Sequence, residues 1–554
     1  MVNKSVGKRL VCCLLATAMI AAAGCNSAQS TGGTPSAGSS SAAEAKSTLT
    51  KFRKPITLTW MTPTSDDYPI DSPALKKTMD KIAEATNVTV EWKPVPTTDA
   101  ASVYTTTLLS GKKSWPNLMT KDQGTINSDG ALGAYVDLTP IMKTKLPNVY
   151  EKVNAYDNWA ALFNLQSQQI FGVPRVGQQE CKMSWMLRKD WLDACGLSEP
   201  KTVDEFANAL KAFKEKNPGN APAEHNYPFT ARGNPQVWMS AVFGSWGMNS
   251  IYYTEASDGT LKLDLTMDQF RHAMEFWHKL YADGLIDPEV IVGDVNHWTT
   301  QMDNSWSGAT IDYTVRTNQF TNEIRNPSAD AVKAGVKAQS NASLVGLAPL
   351  SSADASDPTI CANNPVNTDL AVGIMSSCTE DQQEAALCLI NYIYSDEGQK
   401  LLSWGIDGVS YDGVSADGTP NWKSDLINNY SIKQTAQYGI QPSIARPVTK
   451  QEVLMLFPGL AKEASAKNDG HYEKLHSTVF LSDDDWKKNG DAFTILSNFY
   501  IQACTKFLKG DYTTDDAGWA KYLSDLANLK ADDFMATNQK GYDAAKKMFG
   551  DFSF

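Results

Sequence analysis

Between Ile170 and Lys216 the hydrophobic pattern changes period more than once, and this stretch constrains the fold more tightly than any other. Gly172-Val-Pro174 is a non-helical passage, because a proline biases the residue before it toward extended backbone. From Cys181 through Met183, Trp185 and Leu187, apolar residues occupy alternate positions, which predicts a strand with one buried face. Arg188 to Cys195 reads as a short helix that Gly196 stops. Thr202 and Glu205 have the spacing of a capping box. Behind them Phe206, Leu210 and Phe213 recur at i, i+4 and i+7, one apolar helix face.

The chain ahead of this stretch repeats the same kind of unit. Ile56 to Trp60 alternates as a strand. A helix from Pro73 carries Leu75, Met79 and Ile82, and Val88 to Trp92 is the next strand. Strand, helix and strand in that order predict an α/β body with parallel pairing. A helix over Tyr104–Leu109 then leads to a strand over Trp115–Thr120. Thr266 and Gln269 predict a capped helix bearing Phe270, Met274, Trp277 and Tyr281, and Thr379 with Gln382 predicts another. The body that remains after the N-terminal region, roughly 500 residues, is too long for one core and long enough for two large lobes.

The N-terminus is of a different character. Lys4, Lys8 and Arg9 precede an apolar run from Leu10 to Ala23 that is interrupted only by Thr17, the pattern of an export signal. The run falls short of the roughly 20 apolar residues a membrane span needs. Ala22-Ala23-Gly24-Cys25 follows and resembles a lipoprotein processing box, which implies cleavage after residue 24 and acylation of Cys25. Asn26 to Thr50 is Ser, Thr, Ala and Gly with little to bury, and reads as a disordered tether with a reach of roughly 25–30 Å.

Two blocks carry a family resemblance. One is the run Gly172-Val-Pro, Trp185-Met-Leu-Arg-Lys-Asp-Trp-Leu192, Gly196-Leu and Pro200-Lys-Thr-Val-Asp-Glu-Phe206. The other is Asn391-Tyr-Ile-Tyr-Ser-Asp-Glu-Gly-Gln-Lys-Leu-Leu-Ser-Trp-Gly-Ile-Asp-Gly408. Together with the N-terminus they resemble the extracellular solute-binding lipoproteins of bacterial ABC importers, the maltose-binding-like receptors in their long Firmicute-type branch. The resemblance implies a type II periplasmic-binding-protein fold, two discontinuous α/β lobes joined by a hinge. It implies lobe 1 at 51–175 plus 345–402 and lobe 2 at 176–344 plus 403–554. It further implies a lipid-anchored monomer on the outer face of the cell membrane that serves membrane permease subunits.

Composition narrows the partners. The formal charge is −12, and removal of the basic leader makes the remainder more acidic still, which argues against nucleic acid. The sequence holds no Gly-x-Gly-x-x-Gly, phosphate-binding loop, Gly-x-Ser-x-Gly or His-Glu-x-x-His. No cofactor, metal or catalytic set is therefore expected, and the chain is read as a binder and not an enzyme. Within the resembled family the loop at 217–228 often holds calcium; here Glu224 is its one carboxylate, against the six to eight oxygens calcium takes. Cys181, Cys195, Cys361, Cys378, Cys388 and Cys504 have no zinc or redox spacing. They are read mostly as buried thiols, with pairs such as Cys181–Cys195 left open.

The affirmative signal is aromatic. Among 15 Trp and 20 Tyr, several sit between Gly, Ser and Asp: Trp246, Trp306, Trp404, Tyr411 and Trp422. A sugar ring offers an apolar C–H face and a rim of hydroxyls, which suit an aromatic plate flanked by polar groups. The expected ligand is accordingly an oligosaccharide. The predicted contacts are Trp246, Trp306, Trp404 and Tyr411, joined through the resembled motifs by Trp60, Asp122, Arg188 and Tyr313. Trp185, Trp191 and Trp277, on strand or helix faces, are expected in the core. A glycan-degrading lipoprotein and a same-fold receptor for peptides or other solutes are the competing readings.

Overall fold

The structure, a computed structural model, describes residues 47–551 apart from 66–68, 157–158, 165–166, 178–182, 250–252, 334, 363, 429–431, 442, 457–458 and 474–478. The leader, Cys25, most of the tether and Cys181 therefore lie outside the described residues. The strands in chain order are β1 (Ile56–Thr64), β2 (Val88–Pro96), β3 (Leu118–Lys121), β4 (Gly172–Val176), β5 (Met183–Arg188), β6 (Tyr253–Glu255), β7 (Leu261–Leu263), β8 (Ala309–Tyr313), β9 (Leu344–Gly346), β10 (Val366–Ile374), β11 (Tyr411–Val414) and β12 (Pro420–Trp422).

The first sheet has the order β2-β1-β3-β10-β4, and the expected opening unit is present in it. β1 and β2 run parallel with Ile56 opposite Val88. The helix Pro73–Thr86 that joins them starts at Ser72, whose hydroxyl accepts from the Leu75 amide, with Pro73 in the first turn. It turns Leu75, Met79 and Ile82 inward and stops at Asn87, where φ is 61°. β3 continues the parallel set, while β10 runs antiparallel to both β3 and β4.

The second sheet is β8-β5-β9, antiparallel throughout. β5 is buried on both faces, which explains its nearly unbroken apolar run. Trp185 at its centre stacks on Trp277 at 5.6 Å and meets the edge of Phe206 at 4.7 Å. Trp185, Trp191 and Trp277 are thus core residues, as their periodicity implied. The helix Lys189–Cys195 stops at Gly196 with φ 70°. Cys195 is a free thiol, and Cys378, Cys388 and Cys504 are free and buried.

Among the described residues one large apolar core gathers around each sheet, with a smaller one around Met186, Trp298 and Leu344 on the second, and the chain moves between the two large cores at places that differ from the expected boundaries. It leaves the first core after Val176 and enters the second at Met183. Leu347, Leu350 and Ile360 still pack with β5, and Val366 is back in the first core, so the return falls between Ile360 and Val366 and not at 345. Ile444 and Ala445 remain in the first core, so the departure expected at 403 lies near 448. Apolar spacing marks a residue as buried without saying which of two cores receives it. At the crossings the Val176 amide donates to the Arg446 carbonyl at 3.2 Å, the Val448 amide to the Val176 carbonyl at 2.7 Å, and the Gly177 amide to the Pro365 carbonyl at 2.6 Å. The three connecting segments are therefore bonded to one another.

Candidate binding site between the two sheets

Register identifies which ends of the sheets share the crossings. Lys121, at the C-terminal end of β3, pairs with Ala371 of β10, and Val366 of β10 pairs with Val176 of β4. The carboxyl ends of β1, β2 and β3 thus lie toward the end of the first sheet where the chain departs. In the second sheet Met183, the first strand residue after the crossing, pairs with Tyr313, the last of β8. A connection as short as that from Val176 to Met183 spans at most about 25 Å even when fully extended. In open α/β sheets ligands bind in the crevice outside such carboxyl ends.

At the Tyr313 end of β8 a polar and aromatic cluster is built around Asp312, which is 1% exposed. Arg232 donates to it in fork geometry, Nε to Oδ2 at 2.6 Å and Nη2 to Oδ1 at 3.1 Å. The Tyr313 amide donates to Oδ1 at 2.7 Å, and Nε of Arg316 stands 3.6 Å from the same oxygen. The Arg232 guanidinium lies 5.4 Å from the Trp298 ring and 5.3 Å from the Tyr313 ring, and that of Arg316 lies 5.4 Å from Trp298. The bond to Asp312 raises the pKa of Arg232 further, so its charge is fixed. Tyr313 is 40% exposed, and Val237, Val292, Val295 and Val315 are also open to solvent.

The local backbone explains how Arg232 comes to this position. The Gly233 amide donates to the Gly293 carbonyl at 3.3 Å. Gly293 has φ 72°, and a β-carbon there would lie 2.8 Å from the Gly233 carbonyl oxygen. This close approach of two glycines sets the Arg232 turn beside the loop that carries Val292 and Val295. Pro235 then opens the next helix, Pro235–Ser240.

On the first sheet the facing end carries Lys121 and Asp122. Asp122 is exposed and caps the helix Gln123–Ala131, accepting from the Thr125 amide at 2.8 Å. Lys121 pairs with Asp129 at 2.7 Å and lies 5.5 Å from the Tyr104 ring.

Of the residues chosen from sequence, Asp122 and Tyr313 are at these facing ends, Trp404 with Tyr411 lies beside the crossing segment at Thr449, and the others are elsewhere. Trp60 is fully buried in β1, its Nε1 donating to Thr120 at 2.8 Å. Trp246 is buried against Phe276 and Trp277. Trp404 is buried and donates to Thr449 at 2.9 Å, and Tyr411 and Trp422 continue its edge-to-face row. Arg188 is fully buried at the opposite end of β5, forked onto Asp190 at 2.8 and 2.6 Å and bonded to Ser305 and Gln339 at 2.9 Å each. Trp306 lies at that same far end, stacked on His225 at 4.0 Å. Sequence reasoning missed Arg232 and Arg316. The signal available for the first was an arginine beside glycine just ahead of a proline-led helix.

Comparison with known proteins agrees with this architecture. Residues 69–400 match the family described as bacterial extracellular solute-binding protein. Lipoprotein LipO of Bacillus subtilis (strain 168) is 25% identical over 380 residues, 67% of this chain and 71% of LipO. The fructooligosaccharide ABC transporter substrate-binding protein FusA of Streptococcus pneumoniae serotype 4 is 26% identical over 259 residues, 44% of this chain and 47% of FusA. An extracellular solute-binding protein from Bifidobacterium longum subsp. infantis shares the fold with a TM-score of 0.63 at 18% identity, over 89% of this chain and 98% of that one.

Proposed function

The chain belongs to the bacterial extracellular solute-binding protein family, and from that premise we propose that it is the substrate-binding lipoprotein of an ABC importer for an oligosaccharide. The observation that carries the reading is Arg232, clamped by buried Asp312 and flanked by the open ring of Tyr313, at the sheet end that adjoins the crossings. The similarity to a fructooligosaccharide-binding relative supports a sugar over other solutes.

The chemistry follows from those groups. Asp312 holds one edge of the guanidinium through Nε and Nη2, and the Tyr313 side chain bonds the group as well, so the direction in which the guanidinium meets a ligand is set in advance. A preset donor costs little entropy when it meets a hydroxyl or ring oxygen. Tyr313 and the neighbouring valines offer apolar surface to the C–H face of a sugar ring. From the other side Asp122 offers a carboxylate that accepts from hydroxyls. A ligand touching both sides favours the closed arrangement, because only there are both sets of contacts made. The bonded crossing segments at Val176, Pro365 and Val448 are where such a rotation is absorbed. Ligand is handed on unchanged to a permease. Acylation at Cys25 keeps the body at the outer membrane face.

The experiment is an oligosaccharide screen by thermal shift, followed by calorimetry on the hits. A ligand present at 100 times its dissociation constant adds about 2.7 kcal/mol of stability. Absence of any shift across neutral and acidic oligosaccharides, or turnover of a bound glycan by the purified protein, would refute the reading.

A further inference from the structure

The amino ends of the first sheet's parallel strands carry a surface that the binding site does not use. Leu109 and Leu132 are 82% and 88% exposed, the two most open large apolar side chains among the described residues. Each sits on a turn where a helix gives way toward the next segment, and two hydrogen bonds tie those turns together. Lys112 Nζ donates to Ser376 Oγ at 3.1 Å, and that hydroxyl donates to the Gly133 carbonyl at 2.6 Å. Lys112 and Lys113 are both exposed, and Lys112 lies 5.7 Å from the ring of half-buried Trp115. Two leucines, two lysines and a tryptophan thus share one surface on a chain whose formal charge is −12.

The described chain begins at the same end. Ser47 accepts from the Arg53 amide at 3.1 Å. Arg53 pairs with Asp381 and, at 2.7 Å, with Glu384, in the first turns of the helix Glu380–Ile393. That helix starts four residues after Ser376. In those turns Glu384 is held by Arg53, and Asp381 by Arg53 and, at 2.8 Å, by Lys54.

We propose that Leu109, Leu132, Lys112, Lys113 and Trp115 form a contact surface for an anionic lipid bilayer. Leucines enter the acyl boundary, lysines meet anionic headgroups, and the tryptophan sits at headgroup level. The contact would rest the outer end of the first lobe on the membrane and turn the binding cleft away from it. Release from the lipid surface then precedes docking on a permease.

The test uses a chain beginning at Asn26, which keeps the whole compact unit Ala45–Phe554 and carries no acyl group. Its sedimentation is measured with vesicles of phosphatidylcholine alone and of phosphatidylcholine mixed with phosphatidylglycerol. The expected result is preferential partition onto the anionic vesicles. Lys112→Gln and Lys113→Gln each lower that partition about fivefold, and Leu109→Asp with Leu132→Asp removes it. Val414→Asp, at an exposed valine of β11, leaves it unchanged. Because the lysine variants keep both leucines, they test the surface even where the paired aspartates disturb folding. No partition, equal partition onto both vesicle types, or an equal loss in the Val414 variant overturns the proposal. Oligosaccharide binding measured on the same variants stays at the unsubstituted level, which separates failure here from failure of the cleft reading.

Discussion

Arg446 and Glu452 meet fork to fork inside the protein, Nη1 to Oε2 at 2.8 Å and Nη2 to Oε1 at 2.7 Å, with Arg446 wholly buried. Arg446 lies beside the crossing, its carbonyl accepting from Val176, while Glu452 belongs to the next helix, Lys450–Leu456. Nη1 also bonds Ser403 at 2.8 Å and the Pro447 carbonyl at 3.1 Å, so the pair fastens the last connecting segment. Removing one partner leaves a buried charge uncompensated. Arg446→Ala or Glu452→Ala is expected to cost about 3–5 kcal/mol. Arg446→Met with Glu452→Leu together should cost less than either alone. Urea unfolding of the three variants checks this, and a double variant weaker than both singles would contradict it.

Asp264 is 3% exposed, and among the described residues no hydrogen bond of full geometry reaches either of its side-chain oxygens. Burial pushes its pKa up to about 8, the charge of Glu473 adds to this, and the nearby Thr254 side chain acts in the opposite direction. The folded pKa lies above the unfolded one, so between about 4 and about 8 the folded state holds a proton that the unfolded state has released. Stability therefore falls as pH rises through that window, by up to about 1.4 kcal/mol per unit from this group. Asp264→Asn should flatten the profile and stabilise the protein at pH 7.5 relative to the unsubstituted chain. Melting temperatures across the window check it, and parallel profiles for the two proteins would rule it out.

Trp246 and Tyr313 should respond in opposite ways. Trp246 is a core ring packed on Phe276 and Trp277, so Trp246→Ala is expected to cost about 3–5 kcal/mol. Its affinity for ligand, measured under conditions where it is folded, should be unchanged. Tyr313 is 40% exposed, and Tyr313→Ala should leave stability within about 0.5 kcal/mol. It should weaken binding roughly tenfold, for loss of about 1.4 kcal/mol of ring contact. Calorimetry and chemical unfolding on both variants separate the roles. Lost affinity in the Trp246 variant would return that residue to the site.

The contrast between those two residues also shows what the sequence could and could not convey. Elements with a strict period were legible: β1, the Pro73 helix, β5 and the Thr379 capping box all form, the last with both reciprocal bonds. At Thr202 half the box forms, because Glu205 turns instead to the Lys201 amide at 2.7 Å. At Thr266 none forms, and the helix starts at Asp268 without a side-chain cap. At Trp246 the aromatic signal misleads, because a glycine near a tryptophan reads in sequence as an open loop. Two residues before Trp246 it means close packing of backbone instead: a β-carbon on Gly244 would lie 2.2 Å from the Thr359 carbonyl oxygen. The Arg232 cluster was illegible because its members, at 232, 298, 312 and 316, meet only once β8 is laid into its sheet.

Arg232 gives the sharpest test of the site, because its two tasks can be separated by one substitution. Its Nε and Nη2 are committed to Asp312 and the group also bonds the Tyr313 side chain, so both partners fix the direction in which it meets a ligand. Lysine keeps the charge and can neutralise Asp312, but a point-like ammonium cannot hold that carboxylate in fork geometry and donate outward along a fixed direction as well. Arg232→Lys should therefore keep most of the stability and weaken ligand binding by tenfold or more, about 1.4 kcal/mol. Arg232→Ala removes both functions. It strands a carboxylate that is 1% exposed, and unfolding should come about 3–5 kcal/mol earlier, eased by whatever compensation Arg316 supplies from 3.6 Å. Calorimetric titration with the best oligosaccharide from the screen, paired with urea unfolding, reads the two effects separately. If Arg232→Lys binds as the unsubstituted protein does, the guanidinium serves only to hold β8, and the ligand lies away from this end of the second sheet.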